Sequence, residues 1–436
     1  MNMRTYDILL KKRNGKKLTE EEIEFMVNGF VKGDIPDYQM SAFLMAIFFR
    51  HLDNEERFYL TKSMLNSGDK VDLSMIEGMK IDKHSTGGVG DKTTLVFAPI
   101  IASFGFPVAK MSGRSLGHTG GTIDKLESIP GFRTSLELDE FIGNVKKYNI
   151  AIVSQTANLA PADKKIYALR DVTATVDEIS LISSSIMSKK LAVFSDLLLL
   201  DVKFGSGAFM KKYDDAKVLA EAMVDIAKKF KRNAVAILTS MEQPLGRMVG
   251  NSLEVLEAIE TLKGNGPDDF TRLCVYLGAC ALSFVGVGDI EENIDSIKKK
   301  ISSGEVLKKF EDLVIAQGGD PKVIENPKRI LPISKDVYEV KSKVSGYVEK
   351  IDAEKIGIAS MLLGAGRMKK DDKIDHSVGI ELLKKIGDEV KEGDPLVRVY
   401  FSSRSDLKSA VELVEKAYSF SDKHISVPSL IGELVY

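Results

Sequence analysis

The chain has 436 residues, of which 44% are hydrophobic and 28% are charged, and its formal net charge is −2. This is the composition of a globular protein with enough apolar residues for a sizeable core, and the length suggests about three domains at roughly 150 residues each. The balanced charge gives no indication of a basic tail for nucleic acid or of a basic membrane-surface patch.

No targeting or membrane segment is predicted. The N-terminal sequence MNMRTYDILLKKRNGKK lacks the long apolar run of a signal peptide, and the longest apolar stretches, such as 42–49, are too short to span a bilayer. Cys274 and Cys280 lie in one predicted helix, where their spacing of about 9 Å is too long for a disulfide. We therefore expect two buried thiols, a cytoplasmic location, and no membrane or nucleic-acid partner.

The first 66 residues predict a small helical unit. Thr19 with Glu22 is a capping-box pattern before EIEFMVNGF, and Asp53 with Glu56 repeats it before RFYLTKSML. Pro36 is typical of the start of the helix between them, DYQMSAFLMAIFFR. Each apolar run follows a helix start signal, so helices alone are expected here.

From about residue 78 the pattern alternates between strands and helices. The predicted strands are MKIDKHS, FPVAKMSG, AIVSQT, LLLLDVKFG and 234–240. Helices are predicted at DKTTLVFAPIIASFG, LELDEFIGNVKKYNI, ADKKIYALRD, EISLISSSIMSKKLAVF, 214–231, 252–263 and within 268–316. The almost wholly apolar LLLLDVKFG is typical of a parallel strand that is covered on both faces. The alternation predicts a mostly parallel sheet with helices on both sides.

Beyond Pro332 the pattern changes a third time. DVYEVKSKVSGYVEKID alternates as strands do, and GDEVKEGDPLVRVY predicts a hairpin around Glu392 and Gly393. Residues 332–436 are therefore predicted to form a separate α+β domain.

A glycine-rich loop runs from Lys83 to Thr94, with the sequence KHSTGGVGDKTT. It follows a predicted strand and opens a predicted helix, where glycines and free backbone N–H groups favour an anion. Lys83 adds positive charge, and Ser85 and Thr94 add hydroxyl donors. The spacing is not that of a Walker A loop, and the third glycine of a dinucleotide-binding fingerprint is missing. On this loop alone, a purely structural turn stays the alternative.

A second loop of the same kind runs from Lys110 to Thr122, with the sequence KMSGRSLGHTGGT. It also follows a predicted strand, and consecutive parallel strands end at the same edge of a sheet, where ligands bind. Two loops rich in Gly, Ser, Thr and Lys at one edge predict an anion site, and phosphate is the simplest ligand.

These motifs identify a family. SGRSLGHTGGTIDKLESIPGF resembles the signature of the thymidine and pyrimidine-nucleoside phosphorylases. KHSTGGVGD, QTANLAPADKKIYALRDVTATV, SIMSKK and DVKFGSGAFM resemble other stretches of that family, and the resemblance extends over essentially the whole chain. Ser115 is a departure, because glycine is usual there, but a small residue should be tolerated.

The resemblance implies a fold of three domains. A discontinuous small helical domain would comprise residues 1–66 and about 162–192. A large, mostly parallel α/β domain would comprise 67–161 and about 193–331, and a C-terminal α+β domain would follow at 332–436. The family also implies a substrate cleft between the first two domains and a homodimer formed through the N-terminal helices. The sequence pattern alone predicts the two helices of 162–192 without assigning them to the helical domain.

The implied reaction is the reversible phosphorolysis of uridine, thymidine or deoxyuridine to the free base and (deoxy)ribose 1-phosphate. Phosphate is then a substrate, and no cofactor is required. The residues implied to bind phosphate are Lys83, Ser85, Thr94, Lys110, Ser112 and Thr122. The residues implied to act on the nucleoside are His84, Arg170, Ser185 and Lys189. By pattern alone, Arg170 is typical of a surface salt bridge and Lys189 of a solvated helix end.

Further residues follow from the family by analogy. Leu116, Val176, Ile182 and Phe209 would wall the base pocket, although apolar residues are usually core. Thymidine-selective relatives tend to carry methionine at the position of Lys110, whereas pyrimidine-nucleoside phosphorylases carry lysine. A lysine there would bond the ribose 2′-hydroxyl or phosphate, so we expect uridine to be accepted as well as thymidine.

The pyrimidine-nucleoside branch can also bind a structural potassium ion, mostly through backbone oxygens. The aligned positions are Gly90, Lys92, Leu245, Met248 and Glu257. The lysine at position 92 puts this ion in doubt, because its ammonium would replace the cation if it reaches Glu257.

Three alternatives stay open on the sequence. An enzyme resembling anthranilate phosphoribosyltransferase shares the helical-plus-α/β plan and a GTGGD-type loop, but that family lacks the long C-terminal domain and needs magnesium. A nucleoside-binding protein without catalysis should have lost a phosphate or base residue, and none is missing. The C-terminal strands also resemble a biotinyl or lipoyl carrier domain with Met368-Lys369 at the attachment point, but GRMKKDD is a poor match.

Overall fold

A computed structural model describes residues 3–114, 120–156, 158–369 and 372–436. In chain order, the helices of these residues are α1 Thr5–Arg13, α2 Glu20–Lys32, α3 Asp37–Arg50, α4 Asn54–Leu65, α5 Thr93–Ser103, α6 Thr122–Leu126, α7 Leu138–Tyr148, α8 Pro161–Val172, α9 Ile179–Ala192, α10 Tyr213–Lys229, α11 Asn251–Leu262, α12 Asp268–Phe284, α13 Ile290–Ser302, α14 Glu305–Ala316, α15 Lys322–Glu325, α16 Pro327–Ile330, α17 Ala353–Ser360 and α18 Leu407–Ala417, with a π-helical turn at Met361–Ala365.

The strands divide between the α/β domain and the C-terminal domain. They are β1 Ile81–Ser85, β2 Val108–Ser112, β3 Ile150–Ser154, β4 Leu197–Phe204, β5 Asn233–Ser240, β6 Met248–Val249, β7 Val337–Lys341, β8 Gly346–Ile351, β9 Gly379–Leu382, β10 Glu389–Val390, β11 Pro395–Tyr400, β12 Tyr418–Ser421 and β13 Ile431–Val435.

The helical domain is discontinuous in sequence, as the family resemblance implied. α8 and α9 pack against α2 and α4, and Ala162, Ile166 and Leu181 join the apolar core of the N-terminal helices. The predicted capping boxes at the starts of α2 and α4 are both present. Two segments separated by about a hundred residues therefore share one core, which the local sequence pattern does not reveal.

The α/β domain has a mostly parallel sheet, as predicted. β4 is its central strand and pairs in parallel with β1 and with β5. β2 and β3 form a separate parallel pair beside β1, and Ile81 N donates to Pro107 O across this boundary at 3.1 Å. One apolar core under α5, α11, α12 and α14 covers one side of the strands, and another under α9 and α10 covers the other side. This double coverage explains the apolar sequence of β4.

The C-terminal domain is α+β, but one of its predicted pairings is wrong. The chain turns at Gly393, where φ is +89°. β10 and β11, which flank this turn, do not pair with each other. β10 pairs with β8, whereas β11 pairs with β7 and β9. The turn therefore connects two different sheets. The apolar residues before and after it pack into one common core of the C-terminal domain.

The two β-containing domains exchange strands. β6, from the α/β domain, pairs with β9 of the C-terminal domain through Met248–Glu381 and Val249–Ile380. β13, at the end of the chain, pairs antiparallel with β5 and extends the α/β sheet. The sequence did not indicate this exchange, because such short segments acquire their partners only in the tertiary structure.

None of the described helices combines the length and the apolar character needed to cross a bilayer. Cys274 and Cys280 both lie on α12 as buried free thiols, as the sequence predicted.

Candidate active site

The two glycine-rich loops lie at the carboxyl ends of adjacent strands. The first leaves β1 after Ser85 and enters α5 at Thr93, and the second leaves β2 after Ser112 and enters α6 at Thr122. Thr94 is buried in the first turn of α5, and Thr122 is the first residue of α6. Hydroxyl groups and helix starts from both loops therefore occur at one edge of the sheet, which is the arrangement expected of an anion site.

Lys83 is buried and paired in the first loop. Its ammonium lies 2.8 Å from Asp201 on β4 and donates to the Thr93 hydroxyl. Burial acts to lower the pKa of Lys83, but the carboxylates of Asp201 and Asp91 outweigh it and raise that pKa. Ser85 donates to the Asp91 carboxylate and accepts from Gly87 N. Lys83 is therefore a fixed positive charge beneath the loop.

Lys110 has a different environment, in the middle of β2. Its ammonium lies 3.3 Å from Asp82 and donates to the Lys83 carbonyl. Burial, together with the nearby charges of Lys190 and Lys83, lowers the pKa of Lys110 to about 7. Asp82 opposes this shift, but it is shared with Lys190, whose ammonium lies 2.8 Å away.

His84 is held in its neutral form. Burial and the charges of Lys190 and Lys110 lower its pKa well below the usual value, and Lys189 contributes in the same direction. A neutral imidazole can donate and accept hydrogen bonds at pH 7, but it carries no charge of its own. The end of α9 faces β1, because Lys190 Nζ donates to Asp82 Oδ2 at 2.8 Å.

The predicted base-binding pair on α9 is brought together. Lys189 Nζ donates to Ser185 Oγ at 3.0 Å, one helical turn away. It also donates to Asp163 Oδ2 on α8 at 2.6 Å. The other Asp163 oxygen is buried and has no hydrogen-bond partner among the described residues. Ser185 and Lys189 thus form one polar patch on the helical side of the site.

Arg170 has a buried position rather than the surface position typical of its sequence context. Its guanidinium donates to the carbonyls of Thr175, Val176 and Leu181 at 3.2, 2.5 and 3.1 Å. Three of its N–H donors therefore hold the connection between α8 and α9. A contact between Arg170 and a base stays a prediction.

The residues expected to wall the base pocket differ in position. Phe209 is 43% exposed, and its ring lies beside Gly87 of the first loop. Val176 is half-buried, whereas Ile182 packs against the core under α10. Leu116, like His118 and the departure at Ser115, lies outside the described residues.

Lys92 is one of the residues aligned with the potassium site of the family. Its ammonium contacts Glu257 at 2.6 Å, Met248 O at 2.8 Å and Leu245 O at 2.9 Å. Gly90 packs so closely that a Cβ there would lie 2.7 Å from Leu245 O. The lysine charge therefore occupies the centre of this oxygen cluster. Within the described ranges, no group of three or more His, Cys, Asp or Glu side chains could hold a metal ion.

Sequence reasoning missed several charged residues beneath the site. They are Asp82, Asp91, Asp163, Lys190 and Asp201. Asp201 carried a usable signal, because it interrupts the apolar, buried strand β4, and a charge in such a position is seldom unpaired. Asp82 lies in the polar sequence of β1 and carried a weaker one. Asp163 and Lys190 gave no such signal, since charged residues are common on helices.

Three segments of the chain match known protein families. Residues 6–68 match the helical bundle domain of the glycosyl transferase family, and residues 77–307 match the a/b domain of that family. Residues 347–421 match the pyrimidine nucleoside phosphorylase C-terminal domain. Together with the fold, these matches define an enzyme of the pentosyltransferase class.

Two relatives make the family specific. The pyrimidine-nucleoside phosphorylase of Geobacillus stearothermophilus is 53% identical over 434 residues, which are 99% of this chain and 100% of that protein. The pyrimidine-nucleoside phosphorylase of Staphylococcus aureus strain N315 is 52% identical over the same shares. The chain belongs to the pyrimidine-nucleoside phosphorylase family, which confirms the resemblance drawn from its motifs.

A distant structural likeness concerns the fold alone. The crystal structure of anthranilate phosphoribosyltransferase from Thermus thermophilus matches with a TM-score of 0.58 at 16% identity. The match covers 71% of this chain and 99% of that chain. The helical-plus-α/β plan is therefore common to two kinds of pentosyl-transferring enzyme, as the sequence comparison had anticipated.

Proposed function

We propose that this protein catalyses the reversible phosphorolysis of uridine, thymidine and deoxyuridine to free base and pentose 1-phosphate. One observation carries the proposal. Two glycine-rich loops at the carboxyl edge of the sheet face the end of α9, where Ser185 and Lys189 form a polar patch and Lys190 donates to Asp82 on β1 and to Met111 O on β2. An anion site thus lies opposite a group of hydrogen-bond donors. Both relatives are named pyrimidine-nucleoside phosphorylases, and that name agrees with a phosphate site on one side and a nucleoside site on the other.

The loop side suits phosphate. In this proposal Ser85, Thr94, Ser112 and Thr122 bind its oxygens, and Lys83 and Lys110 supply positive charge. The ammonium of Lys83 is already anchored by Asp201, so it needs no reorganisation when the anion arrives. Preorganised charge of this kind is effective in a site that excludes water.

The helical side suits the departing base. Cleavage of the glycosidic bond leaves positive charge on the sugar, as in the oxocarbenium-like states of glycoside chemistry, and negative charge on the base. Lys189 would stabilise the anionic base, Ser185 would bond its edge, and the neutral His84 would donate to a base oxygen. Phosphate is both the counter-charge to the sugar and the nucleophile. Arg170 would also donate to the departing base, through the N–H groups that do not bind backbone carbonyls.

The first test is incubation with uridine, thymidine and cytidine, with and without phosphate, followed by chromatography of the free base. Uracil and thymine should appear only when phosphate is present. In the Lys189→Met variant, kcat/KM should fall by about 10²–10³, as when one preorganised donor is lost. The matched control is Lys164→Met, on the exposed face of α8, which should behave as the wild type.

Other outcomes would favour the alternatives. Base release without phosphate would contradict phosphorolysis, and nucleoside binding without cleavage would indicate a binding protein. Magnesium-dependent use of phosphoribosyl pyrophosphate would indicate the phosphoribosyltransferase function. The carrier-domain alternative is disfavoured because residues 347–421 match a phosphorylase domain, and an intact mass equal to the chain mass would exclude a modified Lys369.

Lys110 should form a hydrogen bond with the ribose 2′-hydroxyl and so distinguish ribose from deoxyribose. Uridine and deoxyuridine differ only in that group. Lys110→Met should therefore lower kcat/KM for uridine about tenfold or more and change kcat/KM for deoxyuridine less. The expected size follows because a hydrogen bond to a charged group contributes about 1.5–3 kcal/mol. The pKa of Lys110 is about 7, so the ammonium is present below pH 7 and is lost as the pH rises. The uridine-to-deoxyuridine ratio of kcat/KM should therefore fall from pH 6 to pH 8.5 in the wild type and stay flat in Lys110→Met. A ratio that is independent of both pH and the substitution would refute this role.

We also propose that the Lys92 ammonium takes the place of a structural potassium ion. It already contacts two carbonyls and the Glu257 carboxylate. A second cation among these oxygens would be repelled by the ammonium. The proposal predicts a protein whose structure needs no added monovalent cation.

Wild-type activity and melting temperature should be the same in potassium and in choline buffers. Lys92→Ala leaves Glu257 buried without its partner and should cost about 3–5 kcal/mol in choline, with part of this stability regained when potassium fills the vacated oxygens. Lys12→Ala is the matched control, because Lys12 and Glu56 form an equally buried pair with no such ring of carbonyls. A wild type that melts higher in potassium than in choline would contradict the substitution.

The proposed assembly is a homodimer formed through α1 and α3. These helices line a largely apolar groove between them, made by Tyr6, Leu9, Leu10, Ala42, Met45 and Phe49 together with Arg13 and Arg50. Tyr6 and Phe49 are 65% and 69% exposed in the single chain, and aromatic residues are typical anchors of interfaces.

A cytoplasmic location agrees with the buried free thiols and stays a prediction.

Sedimentation velocity tests the dimer. The wild type should sediment with twice the chain mass, and Phe49→Glu should sediment as a monomer because it places a charge in the apolar groove. Tyr38→Glu, on the same helix but outside the groove and 73% exposed, should remain dimeric. A monomeric wild type, or a dimer that persists in Phe49→Glu, would contradict this interface.

A further inference from the structure

Lys125 is a buried lysine that the proposed reaction does not use. It lies on α6, just after the second glycine-rich loop, and its side chain is fully buried. An ammonium carries three N–H donors and no acceptor. A fully buried ammonium must therefore place all three donors on acceptors, and the identity of those acceptors indicates what the residue does.

The acceptors of Lys125 come from both loops. Its Nζ donates to Asp91 O of the first loop at 2.6 Å and to Gly120 O of the second loop at 3.2 Å. It also lies 2.8 Å from Glu254 Oε2 on α11. One charged group thus joins the backbones of the two loops to each other and to a helix behind them.

The joined residues are close to the proposed phosphate contacts. Asp91 accepts the Ser85 hydroxyl through its carboxylate, and its other carboxylate oxygen accepts from Thr93. Gly120 is two residues from Thr122 in the chain. A shift of the Lys125 ammonium would therefore move one phosphate-binding hydroxyl relative to another.

The packing around Lys125 leaves little room for adjustment. A Cβ on Gly120 would lie 3.2 Å from Lys125 Cε and 3.4 Å from Glu254 Oε1. Glu254 is itself buried and accepts from Gly250 N at 3.1 Å. The ion pair is thus fixed on the side away from the loops, and the loop spacing follows from it.

We propose that Lys125 is a positioning residue that sets the distance between the two glycine-rich loops and thereby the affinity for phosphate. Phosphate is small and would be held from both loops at once, so its contacts depend on their spacing to about half an ångström. The nucleoside is held mainly from the helical side and depends on this spacing much less. The inference rests on the proposed function, because it assumes that phosphate binds between the loops.

The test separates positioning from stability. Lys125→Met combined with Glu254→Gln removes both charges and leaves no buried charge unpaired. In steady-state kinetics this double variant should show a KM for phosphate at least tenfold higher, with kcat at saturating phosphate and the KM for uridine within about threefold of wild type. The matched control is Lys12→Met with Glu56→Gln, which removes an equally buried pair in the helical domain and should leave the KM for phosphate unchanged.

A milder variant covers the case in which the double variant fails to fold. Gly120→Ala adds one methyl against Lys125 in an exposed segment and should also raise the KM for phosphate without a comparable change in the KM for uridine. An unchanged KM for phosphate in folded Lys125→Met/Glu254→Gln or in Gly120→Ala would overturn the inference, as would equal losses for phosphate and uridine. A wild type without phosphate-dependent base release would instead refute the proposed function itself.

Discussion

The structure depends on the neutralisation of the lysines that it buries at the carboxyl edge of its sheet. An ammonium removed from water without a partner is strongly destabilising, because desolvation costs several kcal/mol for each ion. Each buried lysine there has a buried carboxylate beside it. The pairs are Lys83–Asp201, Lys92–Glu257, Lys110–Asp82, Lys125–Glu254, Lys190–Asp82 and Lys203–Asp201. These carboxylates come from strands and helices of the α/β domain, so the loops can take their positions only when that domain is assembled.

The same pairing gives the site its chemistry. Asp82 cannot fully compensate two lysines, so Lys110 has a pKa of about 7 while His84 beside it stays neutral. Lys83 has two carboxylates near it and stays charged. Lys190 reaches Asp82 from α9 and so links the helical domain to the sheet beneath the site. The charged Lys83, the titrating Lys110 and the neutral His84 thus lie close together at one edge of the sheet, and the buried carboxylates near them set how these groups differ.

The C-terminal domain takes part in this arrangement from the other side. Val89 of the first loop is fully buried in the apolar core of the C-terminal domain, and Ala353 N donates to Ser206 Oγ at 3.1 Å. Arg367 lies 2.8 Å from Asp124 on α6, which follows the second loop. With the exchange of β6 and β13, these contacts join the domain to the α/β domain over both loops. The domain therefore supports the loops.

The sequence by itself determined the alternation of helices and strands, the capped N-terminal helices, the two glycine-rich loops and, through long motifs, the family. These features depend on neighbours in the chain: periodicity, capping side chains, and glycines at strand ends. The tertiary structure decided which residues meet across distance. It placed Arg170 among backbone carbonyls, put the Lys92 ammonium on Glu257, separated β10 from β11 and brought β13 to the α/β sheet. Local pattern cannot specify such pairings, because a buried charge or a strand edge is satisfied by whichever partner the assembled fold brings within a few ångströms.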